Sequence, residues 1–131
     1  MTYEELLKLI EQAARDGVTR LDLSNKRLTM LPPEIGQLTN ITELNLSGNK
    51  LTDLPPEITK LTNLAILDLA FNRLTNLPAG ISQLSNLTSL DLGFNLLTTL
   101  SHQITQLSNL KGLYLSSKLP NCLAPRNRST L

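Results

Sequence analysis

The residues that could do chemistry in this chain are few and isolated. Its 131 residues include one histidine, His102, one cysteine, Cys122, and no tryptophan. A metal site or a nucleophile with its base needs several such side chains at a fixed separation, and these two match no such spacing. The sequence therefore predicts no catalytic residue, no metal site and no cofactor.

Acidic residues recur at a fixed interval and are the next candidates. Asp22, Asn45, Asp68 and Asp91 follow one another at steps of 23 residues. On neighbouring parallel strands such side chains stand about 5 Å apart but point in parallel, so they do not converge on a cation. Acid–base catalysis would also need a pocket, which a short open sheet is not expected to offer. We interpret this column as a solvated acidic face.

A second column consists of Asn49, Asn72 and Asn95, also 23 residues apart. Each follows a short apolar segment at the point where the chain must turn. A side-chain amide both donates and accepts, so it can satisfy backbone groups that the turn leaves unpaired. We therefore predict a structural role for this asparagine column.

Both columns belong to a repeat of the form LxxLxLxxNxLTxLPxxIxxLxN. Full copies begin at Ile41, Leu64 and Leu87, a variant copy begins at Val18, and a fragment begins at Leu110. One such unit cannot bury its leucines alone, whereas units stacked on either side can. The LxL segment predicts a strand whose residues alternate between the core and the outside.

This unit resembles that of the leucine-rich-repeat proteins over residues 18–115. Its LTxLPxxI form is similar to the intracellular kind found in Ras-associated scaffolds and to the repeat regions of bacterial proteins related to the Roco GTPases. The resemblance implies an α/β fold, a right-handed solenoid with a parallel β-sheet on its concave face. It also implies that the concave face binds a protein, as in a signalling scaffold, and that the chain is not an enzyme.

The two ends are predicted to differ from the repeats. Residues 1–17 read as an N-terminal capping helix, because Thr2 and Glu5 form a capping-box pattern and Gly17 suits its end. The apolar face of this helix is expected to comprise Tyr3, Leu6, Leu7, Ile10 and Ala14. The acidic residues on its other face argue against a membrane-surface helix.

Residues 116–131 lose the period and read as an irregular tail. Two interpretations stay open. The chain is either a truncated or frameshifted fragment of a larger signalling protein, associated with a GTPase or kinase, or the tail is genuine and folds over the last coil. An uncovered final coil would also favour a homodimer through the C-terminal edge of the sheet.

The composition restricts which classes of partner and which cellular compartment we expect for this protein. Lys and Arg number 12 against 11 Asp and Glu, which argues against a nucleic-acid partner. No apolar run approaches the roughly 20 residues of a membrane helix, and the acidic N-terminus does not resemble a secretory signal. A single cysteine forms no internal disulfide. We therefore expect a cytoplasmic protein whose partner is neither nucleic acid nor membrane.

The predicted contact surface consists of the outward strand residues and two phenylalanines. Phe71 and Phe94 occupy equivalent positions in adjacent coils, and aromatic residues are enriched in binding hot spots. The alternative is that the two rings only stack on each other at the edge of the sheet. Ala70, Gly93 and Gly112 are also expected to face outward. The predicted binding residues are Arg20, Asp22, Glu43, Asn45, Ile66, Asp68, Phe71, Ser89, Asp91, Phe94 and Tyr114.

Overall fold

A computed structural model describes residues 1–98 and 102–115 of the chain. It begins with one α-helix, α1 (Tyr3–Asp16), which is followed by five strands of three residues. The strands are β1 (Arg20–Asp22), β2 (Glu43–Asn45), β3 (Ile66–Asp68), β4 (Ser89–Asp91) and β5 (Gly112–Tyr114). Short 3₁₀ helices connect them at Pro33–Gln37, Pro56–Lys60, Ala79–Gln83 and His102–Gln106. Cys122 and the predicted tail, residues 116–131, lie outside the described residues.

The five strands form one parallel sheet in the order of the chain. Neighbouring strands pair in a constant register of 23 residues, so that Leu44 lies between Leu21 and Leu67. This arrangement confirms the predicted solenoid, with the sheet on the concave face. The 3₁₀ helices stack in the same order as the strands.

The leucines and isoleucines of the repeat form one continuous core. Each fully buried residue of this size contributes about 1.5–3 kcal/mol of burial energy before entropy is subtracted. A single coil exposes this apolar set on both of its sides, so stability depends on the neighbouring coils. In the second coil the buried set is Leu44, Leu46, Leu51, Leu54, Ile58 and Leu61.

Helix α1 caps the first coil. The Glu5 amide donates to the Thr2 hydroxyl and the Thr2 amide donates to the Glu5 carboxylate, which completes the capping box. Gly17 ends the helix with a left-handed φ of 63°. Within the described part of the chain, no helix is long and apolar enough to cross a membrane.

The predicted apolar face of α1 was wrong at Tyr3, which is exposed. Leu6 and Ile10 are buried, Leu7 and Ala14 are half-buried, and Ala14 packs against the core. Ala13 is also buried and was missed, because with 3.6 residues per turn it lies almost directly in line with Leu6.

Candidate functional site

The outward side chains of β1 to β5 form what we call the sheet face. Because the register is constant, they fall into two rows that cross the strands. All of the predicted binding residues that lie on the strands are exposed or half-buried. One row is Arg20, Glu43, Ile66 and Ser89, and the other is Asp22, Asn45, Asp68, Asp91 and Tyr114.

The first three strands surround a shallow cavity of about 380 Å³. Its rim includes Arg20 and Glu43, whose Nε and Oε2 atoms lie 2.9 Å apart in a solvent-exposed ion pair. Ile66 lines the same cavity and is exposed. This depression is open to solvent and is lined by side chains of three adjacent strands.

The acidic row does more than face solvent. Oδ1 of Asp22, Asp68 and Asp91 each accepts the backbone N–H two residues further along the chain, at 2.9–3.0 Å. Asn45 accepts the Ser47 amide in the same way. This short-range bond is a local turn closure that aspartate and asparagine both make. The residues therefore also shape the strand ends, a role that the interpretation as a solvated face missed.

Nothing in residues 1–98 or 102–115 brings together three side chains of the His, Cys, Asp and Glu type that could hold a metal ion. The members of the acidic row lie side by side and do not converge. The acidic row therefore lacks the convergent oxygen ligands that a bound cation requires.

The two ends of the acidic row differ in their electrostatics. The Ser24 hydroxyl and amide both donate to Asp22, which lowers the pKa of that exposed carboxyl. Burial raises the pKa of Asp91, and the neighbouring Asp68 charge adds to this effect. The Gly93 amide opposes the rise but does not cancel it.

Replacing Asp91 with asparagine is expected to stabilise the protein at pH 7. Since the folded-state pKa of Asp91 lies above its ordinary value of 3.8, ionisation destabilises the fold as pH rises through that window. An asparagine oxygen can accept the Gly93 amide as Asn45 accepts that of Ser47. The gain, measured by thermal unfolding at pH 7, is expected to vanish near pH 3, well below the raised pKa.

Asp22→Asn is the matched control, and its expected effect on stability is the opposite of that of Asp91→Asn. Its lowered pKa means that ionised Asp22 stabilises the fold, and this contribution is lost as pH falls through the folded-state pKa. Asp22→Asn should therefore destabilise at pH 7 and have less effect near pH 3. If the stability changes of the two variants depended on pH in the same way, the opposite pKa shifts assigned to Asp22 and Asp91 would be contradicted.

The asparagine column is buried and bonded to the backbone of two coils. Nδ2 of Asn72 donates to the carbonyl oxygens of Leu46 and Leu69, at 2.9 and 3.1 Å, and its Oδ1 accepts the Leu51 amide at 3.0 Å. Asn49 donates to the same Leu46 carbonyl. Adjacent asparagines thus share acceptors, and the hydrogen bonds run from coil to coil as a continuous ladder.

A second asparagine ladder lies at the end of each repeat and was assigned no role from the sequence. Asn63, Asn86 and Asn109 each donate through Nδ2 to the carbonyl of the residue 24 positions earlier, at 2.8–2.9 Å. These residues are exposed. The final asparagine of the LxN motif, present in every full copy, was the signal that would have revealed this ladder.

Phe71 and Phe94 stack on each other and also face solvent. Their ring centroids lie 4.5 Å apart with an interplanar angle of 6°. The two residues are 57% and 45% exposed. The rings therefore stack on each other, as one of the two alternatives from the sequence held, and a contact role for their exposed surface stays a prediction.

The backbone at the two phenylalanines is left-handed, with φ of 58° and 57°. The equivalent residues of the first two coils are Asn25 and Gly48, which have the same backbone conformation. Asparagine and glycine tolerate it, whereas a bulky residue there costs roughly 1–2 kcal/mol. Phenylalanine is thus an unfavourable choice for the backbone alone.

Three of the small residues expected to face outward are buried instead. They are Ala70, Gly93 and Gly112. A Cβ atom on Gly112 would lie 3.1 Å from the Tyr114 ring, so this ring rests over Gly112. Leu96, by contrast, is 53% exposed and was not predicted. Its place in a repeat position otherwise held by Lys50 and Arg73 was the signal for it.

Comparison with known proteins agrees with this geometry. A family model described as a leucine-rich repeat region matches residues 19–118. A leucine-rich-repeat protein of Leptospira interrogans is 39% identical, with a TM-score of 0.66, over 82% of this chain. An internalin of Listeria monocytogenes is 27% identical, with a TM-score of 0.67, over 86% of this chain.

This chain covers 34% of the length of each of those two structures. No curated protein shows a significant match to it. The family model nevertheless spans most of the sequence, and its repeat is the one that builds the sheet and the asparagine ladder. The chain therefore belongs to the leucine-rich-repeat family.

Proposed function

We propose that this chain is a protein-binding module that contacts a partner protein through its sheet face and has no catalytic role. Leucine-rich repeats serve in general as interaction surfaces, which supports the coarse assignment. Fold alone does not specify the contact residues, so the proposal rests on the chemistry of this particular face.

The observation that carries the proposal is the set of exposed apolar side chains on and beside the sheet. Ile66 is 41% exposed at the centre of the first row, and Tyr114 is 38% exposed in the second. Exposed apolar groups rimmed by charged ones are typical of protein contact sites. Ile66 sits in the cavity beside the Arg20–Glu43 ion pair, which gives the site both features.

Ile66→Asp tests the proposal. Ile66 is exposed, so the change should leave the fold intact, while a charge at the centre of the cavity should disrupt an apolar contact. Proteins retained from a lysate of the source organism by the immobilised chain would be compared between the wild type and the variant. We expect the specifically retained protein to be lost, with an unchanged circular dichroism spectrum.

Met30→Asp is the matched control. Met30 is 56% exposed and lies outside the strands, and aspartate stands at the equivalent position of the next repeat, Asp53. This variant should retain the partner that Ile66→Asp loses. Loss of the partner in both variants, or in neither, would contradict binding through the sheet face.

The proposal includes a cytoplasmic, signalling context, in keeping with the single cysteine. The alternative of a truncated or frameshifted fragment stays a prediction. Its test is the gene sequence, where repeats recovered downstream after a single-base correction would support it. Dimerisation through the C-terminal edge also stays a prediction, and size-exclusion chromatography across protein concentrations tests it.

A further inference from the structure

The aromatic patch, which we define as Phe71 and Phe94, is not explained by folding. Its rings leave the core and remain about half exposed, on a backbone conformation that favours glycine or asparagine. The first two coils fold with Asn25 and Gly48 at the same place. Stacking accounts for the position of the rings but leaves much of their surface in contact with water. Such an exposed aromatic surface is typical of a binding contact.

The charges next to the patch indicate what would bind there. Each phenylalanine follows a strand, β3 or β4, that carries one carboxylate and no cation. Those carboxylates, Asp68 and Asp91, are direct partners in the sheet. Their Oδ1 atoms accept backbone amides, and no donor from the described residues bonds to either Oδ2. The two half-buried carboxylates therefore keep unused hydrogen-bond acceptor capacity.

No ion pair among the described residues neutralises this pair of carboxylates. Arg20 is bonded to Glu43 at the far side of the sheet face. Arg73, two residues after Phe71, is exposed and forms no ion pair with either carboxylate. Among the described ion pairs, neither Asp68 nor Asp91 takes part in one. The strand side of the aromatic patch is thus acidic, and a partner complementary to that side is basic.

We infer that the aromatic patch docks an arginine side chain carried by a basic segment of the partner protein. This inference rests on the proposed function and specifies its ligand chemistry. A planar guanidinium stacks on an aromatic face, and its fork of N–H groups donates to carboxylate oxygens. Lysine offers neither the plane nor the fork, so the site favours arginine over lysine.

The test is a titration of ¹⁵N-labelled protein with short glycine–serine peptides that carry two arginines, two lysines or two glutamates. The arginine peptide should shift the amide signals of β3, β4 and both phenylalanines. Its lysine counterpart should bind several-fold more weakly, and the glutamate peptide should not bind. Phe71→Asn/Phe94→Asn should weaken arginine-peptide binding by about tenfold, since asparagine keeps the backbone conformation but removes both rings.

Asp68→Asn/Asp91→Asn is a second variant that keeps the turn closures seen at Asn45, so it guards against a folding defect in the first. This variant should also bind the arginine peptide more weakly than the wild type. Asp53→Asn, which removes an exposed charge outside the strands, should leave the affinity for the arginine peptide unchanged.

Wild-type affinity in the phenylalanine variant, equal weakening by Asp53→Asn, or no binding of the arginine peptide would each overturn the inference. None of these results would change the expectation that Ile66→Asp loses the captured partner. If Ile66→Asp retained that partner, the proposed binding through the sheet face would itself be contradicted.

Discussion

Replacement of Asn72 by alanine is expected to lower the free energy of unfolding by about 2–4 kcal/mol. The substitution leaves the buried Leu51 amide without its acceptor and removes one donor from each of the carbonyls of Leu46 and Leu69. A buried polar group without a partner costs about 1–3 kcal/mol, and the smaller side chain adds a cavity. Equilibrium urea denaturation measures the loss.

The chain offers a matched control in Asn63→Ala. Asn63 lies one position before the repeat that contains Asn72, and its amide donates a hydrogen bond to the Thr39 carbonyl at 2.9 Å on the exposed side of the coil. Water replaces that bond, so we expect a loss of only about 0.5–1 kcal/mol. Similar losses in the two variants would show that burial does not separate the two ladders.

Leu67→Ala is expected to destabilise the protein by about 2–5 kcal/mol, the usual range for a fully buried leucine. Leu67 is 1% exposed and lies at the centre of β3, between Leu44 and Leu90. A cavity there loosens contacts with the coils on both sides, and an array held together by neighbours has no other source of support. Thermal or urea unfolding measures this change.

Leu21→Ala tests whether position in the array sets the effect. Leu21 occupies the same register as Leu67 but lies in the first strand and is half-buried. Because β1 has a neighbouring strand on one side only, Leu21→Ala should lower the free energy of unfolding by less than half as much as Leu67→Ala. Equal losses would contradict the nearest-neighbour view of the fold.

Much of the fold followed from the period alone. Leucines at fixed spacing can be buried together only when successive units stack in register, and that requirement predicts the parallel sheet before any coordinate is known. The capping box at Thr2 and Glu5 could also be predicted from the sequence, because it depends on two residues that are three positions apart. Local rules and periodicity therefore account for the architecture.

The site was less predictable, because its properties depend on neighbours that are distant in sequence. The depression around Ile66 arises from side chains of three strands, and no single repeat indicates its volume. The burial of Gly112 follows from the position of the Tyr114 ring. Such features depend on side-chain size across coils and on rotamers that the repeat pattern leaves free.

The sequence by itself determined the stacked coils and the alternation of strand residues between the core and the sheet face, because both follow from a 23-residue period. Only the tertiary structure decided how equivalent residues differ. Asp22 and Asp91 share one column, yet their pKa values move in opposite directions, since one is exposed beside Ser24 and the other is partly buried beside Asp68. Equivalence in sequence fixes the position of a side chain, and its environment is set by the coils stacked against it.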